Sequence, residues 1–200
     1  MHARVSNATT DHRRAIAEGN VKAILDATLG LLEHDPEPSF VEIARAAGVS
    51  RPTLYAHFPT REDLIEAVVA RAVDEVGREA RAARLDEDSA AAALERLVKM
   101  LWRKLSRLST LARISGEVLP PERRRHAHET GLEPVRQLIV RGQEAGEFRA
   151  DQSPEWMVSV LYALLHGAAD DVTAGRFDED SVGELLYASA LGAFAPPHRE

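Results

Sequence analysis

From Phe40 to Leu64 the chain reads FVEIARAAGVSRPTLYAHFPTREDL, and the rest of the molecule is best approached from this stretch. Ser39, just ahead of it, stands three residues before Glu42, the spacing of a capping box, and opens a short helix over Phe40 to Ala47. Gly48 ends that helix, because glycine accepts the left-handed backbone that closes a helix. Ser50 then caps a second short helix that runs from Arg51 to His57 or Phe58. Pro52 lies in its first turn, where a missing N–H costs nothing. Phe58-Pro59 breaks it, and Thr60 caps a third helix with Glu62 and Asp63 at the positive end of the dipole. Two short helices joined by Ala47-Gly48-Val49-Ser50, with Ile43, Ala44, Val49, Leu54 and Phe58 facing inward, have the layout of a helix-turn-helix. In that motif the second helix enters the major groove of DNA.

A helical wheel sorts the second helix. With Leu54 facing the core and Phe58 beside it, Pro52 and Ala56 point outward, flanked by Thr53 and Tyr55. Arg51, Tyr55, His57 and Arg61 each carry a donor for phosphate oxygen, and the N-terminal backbone of the helix adds more. Charge distribution agrees with this end as the anion-facing one. The chain carries a net charge of −7, yet residues 1–61 balance seven basic side chains (Arg4, Arg13, Arg14, Lys22, Arg45, Arg51, Arg61) against seven acidic ones. The whole deficit lies beyond them.

Elsewhere the sequence reads as helix. Ala, Leu, Glu and Arg dominate, 44% of residues are apolar and 28% charged, and no sustained two-residue alternation argues for strands. The expected class is all-α, with about nine helices over roughly 10–34, 40–47, 51–58, 60–81, 88–108, 109–117, 121–146, 154–173 and 180–194. The absence of cysteine excludes disulfides, thiolate metal sites and a cysteine nucleophile, and makes a reducing cytoplasm the natural compartment. No apolar run approaches the length of a membrane span, so no membrane partner is expected. Neither a metal nor another cofactor is expected. His126 and His128 stand near Glu122 and Glu129, but their spacings do not converge, and Arg123-Arg124-Arg125 adds repulsive charge. Those arginines read as a solvated face or as partners for an acidic or anionic group.

The string from Phe40 to Leu64 closely resembles the signature of the tetracycline-repressor (TetR) family of bacterial regulators, with Ile24-Leu25-Asp26-Ala27 fitting ahead of it. The close resemblance covers about residues 14–70; beyond that, only the pattern of helices matches. It implies a DNA-binding domain over 1–81 (motif 39–61, with the linking fourth helix) and an effector-binding and dimerisation domain over 82–200. The implied protein is a transcriptional regulator rather than an enzyme, by family default a repressor. It would bind a near-palindromic double-stranded operator as a homodimer and be released by a small-molecule effector. Gly48 matches the family's turn glycine. Thr53, Tyr55 and His57 match DNA-contacting positions, Arg61 stands where a phosphate-binding lysine is common, and Arg51 matches a position that often reads base edges. Ser50 and Pro52 complete the implied interface. There are two departures. Ala56 stands where the family often has a larger polar or aromatic side chain, and with Phe40 and Val41 at the start of the first motif helix the phosphate-binding hydroxyl often seen there comes from Ser39 or is missing.

For the effector, Met100, Trp102, Leu105, Leu111, Ile114, Tyr162 and His166 offer apolar surface with polar tips, each with ordinary core packing as its alternative. For the dimer, Trp156, Val160 and Leu164 on one helix and Leu185, Leu186, Ser189 and Ala193 on the last make a broad stripe of apolar and small residues suited to a four-helix interface. Two other functional classes stand beside this reading: a helix-turn-helix used as a protein-interaction module, and an all-α enzyme assembled from scattered carboxylates and histidines. No phosphate loop or catalytic motif supports the latter.

Overall fold

A computed structural model describes residues 3–197, with side chains placed throughout except at 3–11, 13 and 130. Among the described residues there are nine α-helices and no strand. They are α1 (Ala3–Leu32), α2 (Phe40–Ala46), α3 (Arg51–His57), α4 (Arg61–Ala82), α5 (Ala90–Arg107), α6 (Ser109–Val118), α7 (Pro121–Glu144), α8 (Pro154–Thr173) and α9 (Glu179–Phe194). From α2 onward the sequence-based boundaries agree to within two residues, the usual uncertainty of helix ends. The first helix differs more. It begins at Ala3, because nothing between there and Thr10 interrupts it, and it closes at Leu32 through turns in which His34 and Asp35 both donate to Leu31 O. Pro36 disfavours helix at the residue before it.

Buried side chains fall into two clusters. One joins Ile24, Ile43, Leu54, Phe58, Leu64, Ile65 and Val68 of α1–α4 to Leu111, Ile114, Leu119 and Ala127 of α6 and α7. The other collects Leu94, Leu97, Trp102, Ile139, Phe148, Met157, Leu161, Leu186 and Phe194 from α5, α7–α9 and the α7–α8 connector. Helix α4 lies between them and packs most extensively against α7. At their crossing Gly77 of α4 faces Gly131 of α7, and the backbones are in near contact. A methyl added to Gly77 would stand 3.1 Å from Gly131 Cα, and one added to Gly131 would meet Val73 Cγ1 and stand 2.7 Å from Val73 O.

Charged pairs tie α4 to its neighbours at three levels. Near its start, Arg123 of α7 donates Nη2 to Asp63 Oδ1 at 2.9 Å and Nε to Glu66 Oε2 at 2.8 Å. Farther along, Arg71 reaches Asp26 and Lys22 O of α1, and Glu79 meets Lys104 of α5 at 2.6 Å. One arginine of the 123–125 run thus has a cross-helix acidic partner rather than a solvated face.

Candidate nucleic-acid interface and ligand cavity

Each of the three helices that build the motif starts on a side-chain cap. Ser39 Oγ receives Glu42 N at 3.3 Å while Glu42 Oε2 receives Ser39 N at 2.9 Å, closing the box expected from the spacing. Ser50 Oγ accepts Thr53 N at 3.2 Å, and Thr60 and Asp63 form a second reciprocal box. The turn between α2 and α3 is a Schellman closure, in which Val49 N donates to Ala44 O at 3.0 Å and Gly48 N to Arg45 O at 3.2 Å. Gly48 supplies the required left-handed residue with φ 67°.

These caps fix the orientation of α3. Leu54 and Phe58 are buried, while Arg51, Pro52 and Ala56 are exposed and Thr53 and His57 half-buried. Tyr55 is 52% exposed, its ring 5.1 Å from that of Phe40. Phe40 therefore braces the phenol, a positioning role not drawn from the sequence. Four of the nine interface residues, Ser39, Ser50, Thr53 and Arg61, already have intramolecular hydrogen-bond partners. Ser39 Oγ donates to Glu42 Oε2 at 2.6 Å, Thr53 Oγ1 lies 2.7 Å from Ser50 Oγ, and Arg61 donates to Pro36 O at 3.1 Å and Pro38 O at 3.2 Å. The Arg61 guanidinium braces the α1–α2 loop and retains further N–H donors.

The second site is a cavity of about 120 Å³ roofed by α4 and walled by α5–α8. Of the sequence-derived effector set it brings together Leu105, Leu111, Tyr162 and His166. Met100, Trp102 and Ile114 lie elsewhere, for reasons of helical phase. On α5 and its C-cap the stripe facing the cavity is Leu101, Lys104, Leu105 and Leu108, so Trp102 turns toward α9, where its Nε1 donates to Glu179 O at 3.1 Å. Met100 packs against the C-terminal core, and Ile114 is buried with α1–α4. The α4 stripe (Val69, Val73, Val76) and His128 were missed.

The polar wall of the cavity is a cluster of three rings. His166 stacks on Tyr162 with centroids 4.0 Å apart, and His128 meets Tyr162 edge-on at 5.0 Å and His166 at 5.6 Å. Burial lowers the pKa of both imidazoles, that of His166 to about 4, and raises that of the Tyr162 phenol. A histidine held neutral in the fold takes up a proton more readily once unfolded. Its stabilising share is complete above the ordinary value near 6.5, declines as pH falls, and is gone at about 4. His166→Phe is therefore expected to flatten the pH dependence of stability. Wild type should lose about 2 kcal/mol more than the variant between pH 7 and pH 5 by urea unfolding; parallel curves would contradict it.

The outer faces of α8 and α9 leave large apolar groups uncovered. Trp156 is 58% and Leu185 53% exposed, and Ser189 is exposed beside half-buried Val160, Leu164 and Ala193. Leu186 departs from the expected interface set: it is 4% exposed and packs into its own protomer's core, 100° around the helix from Leu185. No helix among the described residues is long and apolar enough to cross a membrane.

A family model for bacterial regulatory proteins of the tetR family matches residues 24–68, which span the last third of α1 through the first third of α4. Residues 24–68 thus carry the DNA-binding domain of the TetR family of transcriptional regulators. The chain is a DNA-binding regulator rather than an enzyme. It is similar along most of its length to two regulators of that kind. NfxB of Pseudomonas aeruginosa is 25% identical over 166 residues, 82% of this chain and 88% of NfxB. The repressor LfrR of Mycolicibacterium smegmatis is 27% identical over 178 residues, 88% of this chain and 91% of LfrR. Among solved structures, FadR of Bacillus subtilis in complex with stearoyl-CoA has the same fold with a TM-score of 0.71 at 14% identity, covering 86% of this chain and 98% of FadR. LfrR in complex with proflavine superposes with a TM-score of 0.61 at 22% identity, over 88% and 97% of the respective chains.

Proposed function

We propose that this chain is a cytoplasmic repressor of the TetR family. It binds a near-palindromic operator as a homodimer and leaves it when a small molecule fills the cavity under α4. The observation that carries the reading is the double use of one helix. Val69 and Ala72 of α4 belong to the cluster that closes the helix-turn-helix, and both also line the cavity. A ligand that alters the seat of α4 therefore acts on the reader through shared side chains. It needs only different affinities for the DNA-bound and free arrangements. Residues 1–81 act as reader and 82–200 as sensor and dimerisation unit, with α4 belonging to both.

In a dimer paired through α8 and α9, the two α3 helices enter successive major grooves about 34–36 Å apart. Arg51, Tyr55 and His57 meet the DNA, with Ser50, Pro52, Thr53 and Ala56 forming the surface around them. Ser39 and Arg61 act chiefly by holding α2 and the α1–α2 loop. The two ligand-bound neighbours, with stearoyl-CoA and with proflavine, support a ligand-responsive reading of the fold.

Footprinting on the DNA flanking the protein's own gene, at two salt concentrations with competitor DNA, tests the proposal. A symmetric protected site whose affinity falls steeply with salt is expected. Salt-insensitive or absent binding would favour the protein-interaction alternative. On that site Tyr55→Phe should weaken binding to all sequences alike. Arg51→Ala should cost about 1–3 kcal/mol and relax preference at one base position, as loss of a bidentate guanine contact would. A uniform loss for Arg51→Ala would reassign it to the phosphates.

A further inference from the structure

The two cavity histidines are fixed in one tautomer. His128 Nδ1 lies 2.7 Å from Arg124 O and His166 Nδ1 lies 3.0 Å from Tyr162 O, each one turn back in its own helix. A carbonyl only accepts, so both Nδ1 atoms carry the proton and both Nε2 atoms present a lone pair on the ring edge turned away from the helix backbone. Among the described residues no group donates to either Nε2. Two acceptors without donors, on rings 5.6 Å apart, stand in a mainly aliphatic lining whose other polar side chains are Tyr162, Lys104 and Ser115.

The charges around them select the donor. Lys104 enters from α5, paired with Glu79 of α4, and α7 brings Arg124 and Arg125, whose charges act on the Tyr162 phenol. On α8 the neighbouring acid is Asp170; α4 and α6 contribute no ionisable side chain to the lining. No carboxylate lines the cavity. A cationic ligand would give up its hydration shell with no lining carboxylate to meet it. An anion would have Lys104 for a partner but no proton for either Nε2, and would set its own lone pairs against theirs. A neutral hydroxyl meets neither objection. Size narrows the choice further, since about 120 Å³ is comparable to engineered cavities of about 150 Å³ that hold one benzene.

Resting on the effector reading above, we propose that the cavity takes a compact, neutral, single-ring molecule of the phenol class, whose hydroxyl donates to Nε2 of His128 or His166. The pocket then discriminates by hydrogen-bond donation, because an analogue lacking the hydroxyl leaves both acceptors unpaired.

Isothermal titration of the full chain at pH 7.5 with p-cresol, toluene and benzylammonium tests this. p-Cresol is expected to bind about tenfold or more tightly than toluene, with benzylammonium the weakest of the three. In the His128→Phe/His166→Phe double variant the preference for p-cresol should fall to within about twofold, while toluene binding persists and reports an intact cavity. Equal binding of p-cresol and toluene to the wild-type chain overturns the donor assignment alone, as does benzylammonium binding tightest or a preference that survives in the double variant. Binding of none of the three at millimolar concentration overturns the cavity as a ligand site, and the assignment with it.

Discussion

Gly131→Ala is expected to destabilise the protein by about 2 kcal/mol, lowering Tm by about 4–8 °C, and to weaken operator binding about tenfold or more under conditions where the variant remains folded. Intrinsic preference argues the other way, because replacing an interior helical glycine by alanine gains about 1 kcal/mol. The local geometry reverses that sign. The new methyl would fall on Val73 Cγ1 and lie 2.7 Å from Val73 O. A side chain can rotate aside, but a backbone oxygen in the middle of α4 cannot, so α4 and α7 must separate. Because α4 carries both the wall of the reader core and the roof of the cavity, this separation reaches the DNA-binding surface. Two controls locate the effect. Gly77→Ala comes no nearer than 3.1 Å to Gly131 Cα and 3.5 Å to Gly131 O and a flexible Arg81, so a smaller loss is expected. Gly30→Ala on α1 meets nothing within 4 Å and should be neutral or slightly stabilising. Circular dichroism melts and operator titrations of the three variants check the series. A Gly131→Ala protein as stable as the wild type, with unchanged affinity, would show that the crossing tolerates the extra carbon.

The same helix explains which parts of the molecule were legible in the sequence. The reader was, because its determinants are local: two capping boxes, a Schellman glycine and the Leu54/Phe58 pair act within a few residues of one another. The fold class and the helix limits follow for the same reason. The cavity depends on how five helices are rotated, which no single segment fixes. Its lining has a sequence signal, since each helix contributes residues at helical spacing: Val69, Ala72, Val73 and Val76 on α4, or His128, Gly131, Leu132 and Val135 on α7. Such a stripe looks the same whether it packs against a neighbour or faces a void. An error of one residue in phase then separates Trp102 from Leu101, or Leu186 from Leu185. Arg61 shows the complementary limit. Its place at the start of α4 suggested a phosphate contact but gave no sign of the loop it also closes, more than twenty residues back in the chain at the carbonyls of Pro36 and Pro38.

Leu185→Glu is expected to convert a homodimer into a folded monomer of 22.0 kDa and to reduce operator affinity by about a hundredfold or more. Within one protomer the substitution should be almost silent, because Leu185 is 53% exposed and surface changes rarely exceed about 0.5 kcal/mol. In an interface formed by α8 and α9 it places a carboxylate, and its two-fold copy, in a zone lined by Trp156, Val160 and Leu164. Charge burial without a partner costs several kcal/mol. A monomer engages one half-site, so the gain from linking two readers is lost even though each α3 is unchanged. Leu186→Ala separates this effect from ordinary destabilisation. That side chain is 4% exposed in its own protomer's core, and its truncation should cost about 2–5 kcal/mol of protomer stability by cavity formation. Size-exclusion chromatography with light scattering, beside urea unfolding, distinguishes the two residues. The expected pattern is loss of assembly with stability retained for Leu185→Glu, and loss of stability for Leu186→Ala. A Leu185→Glu protein that elutes as the wild type and binds the operator equally well would place the dimer interface on another face.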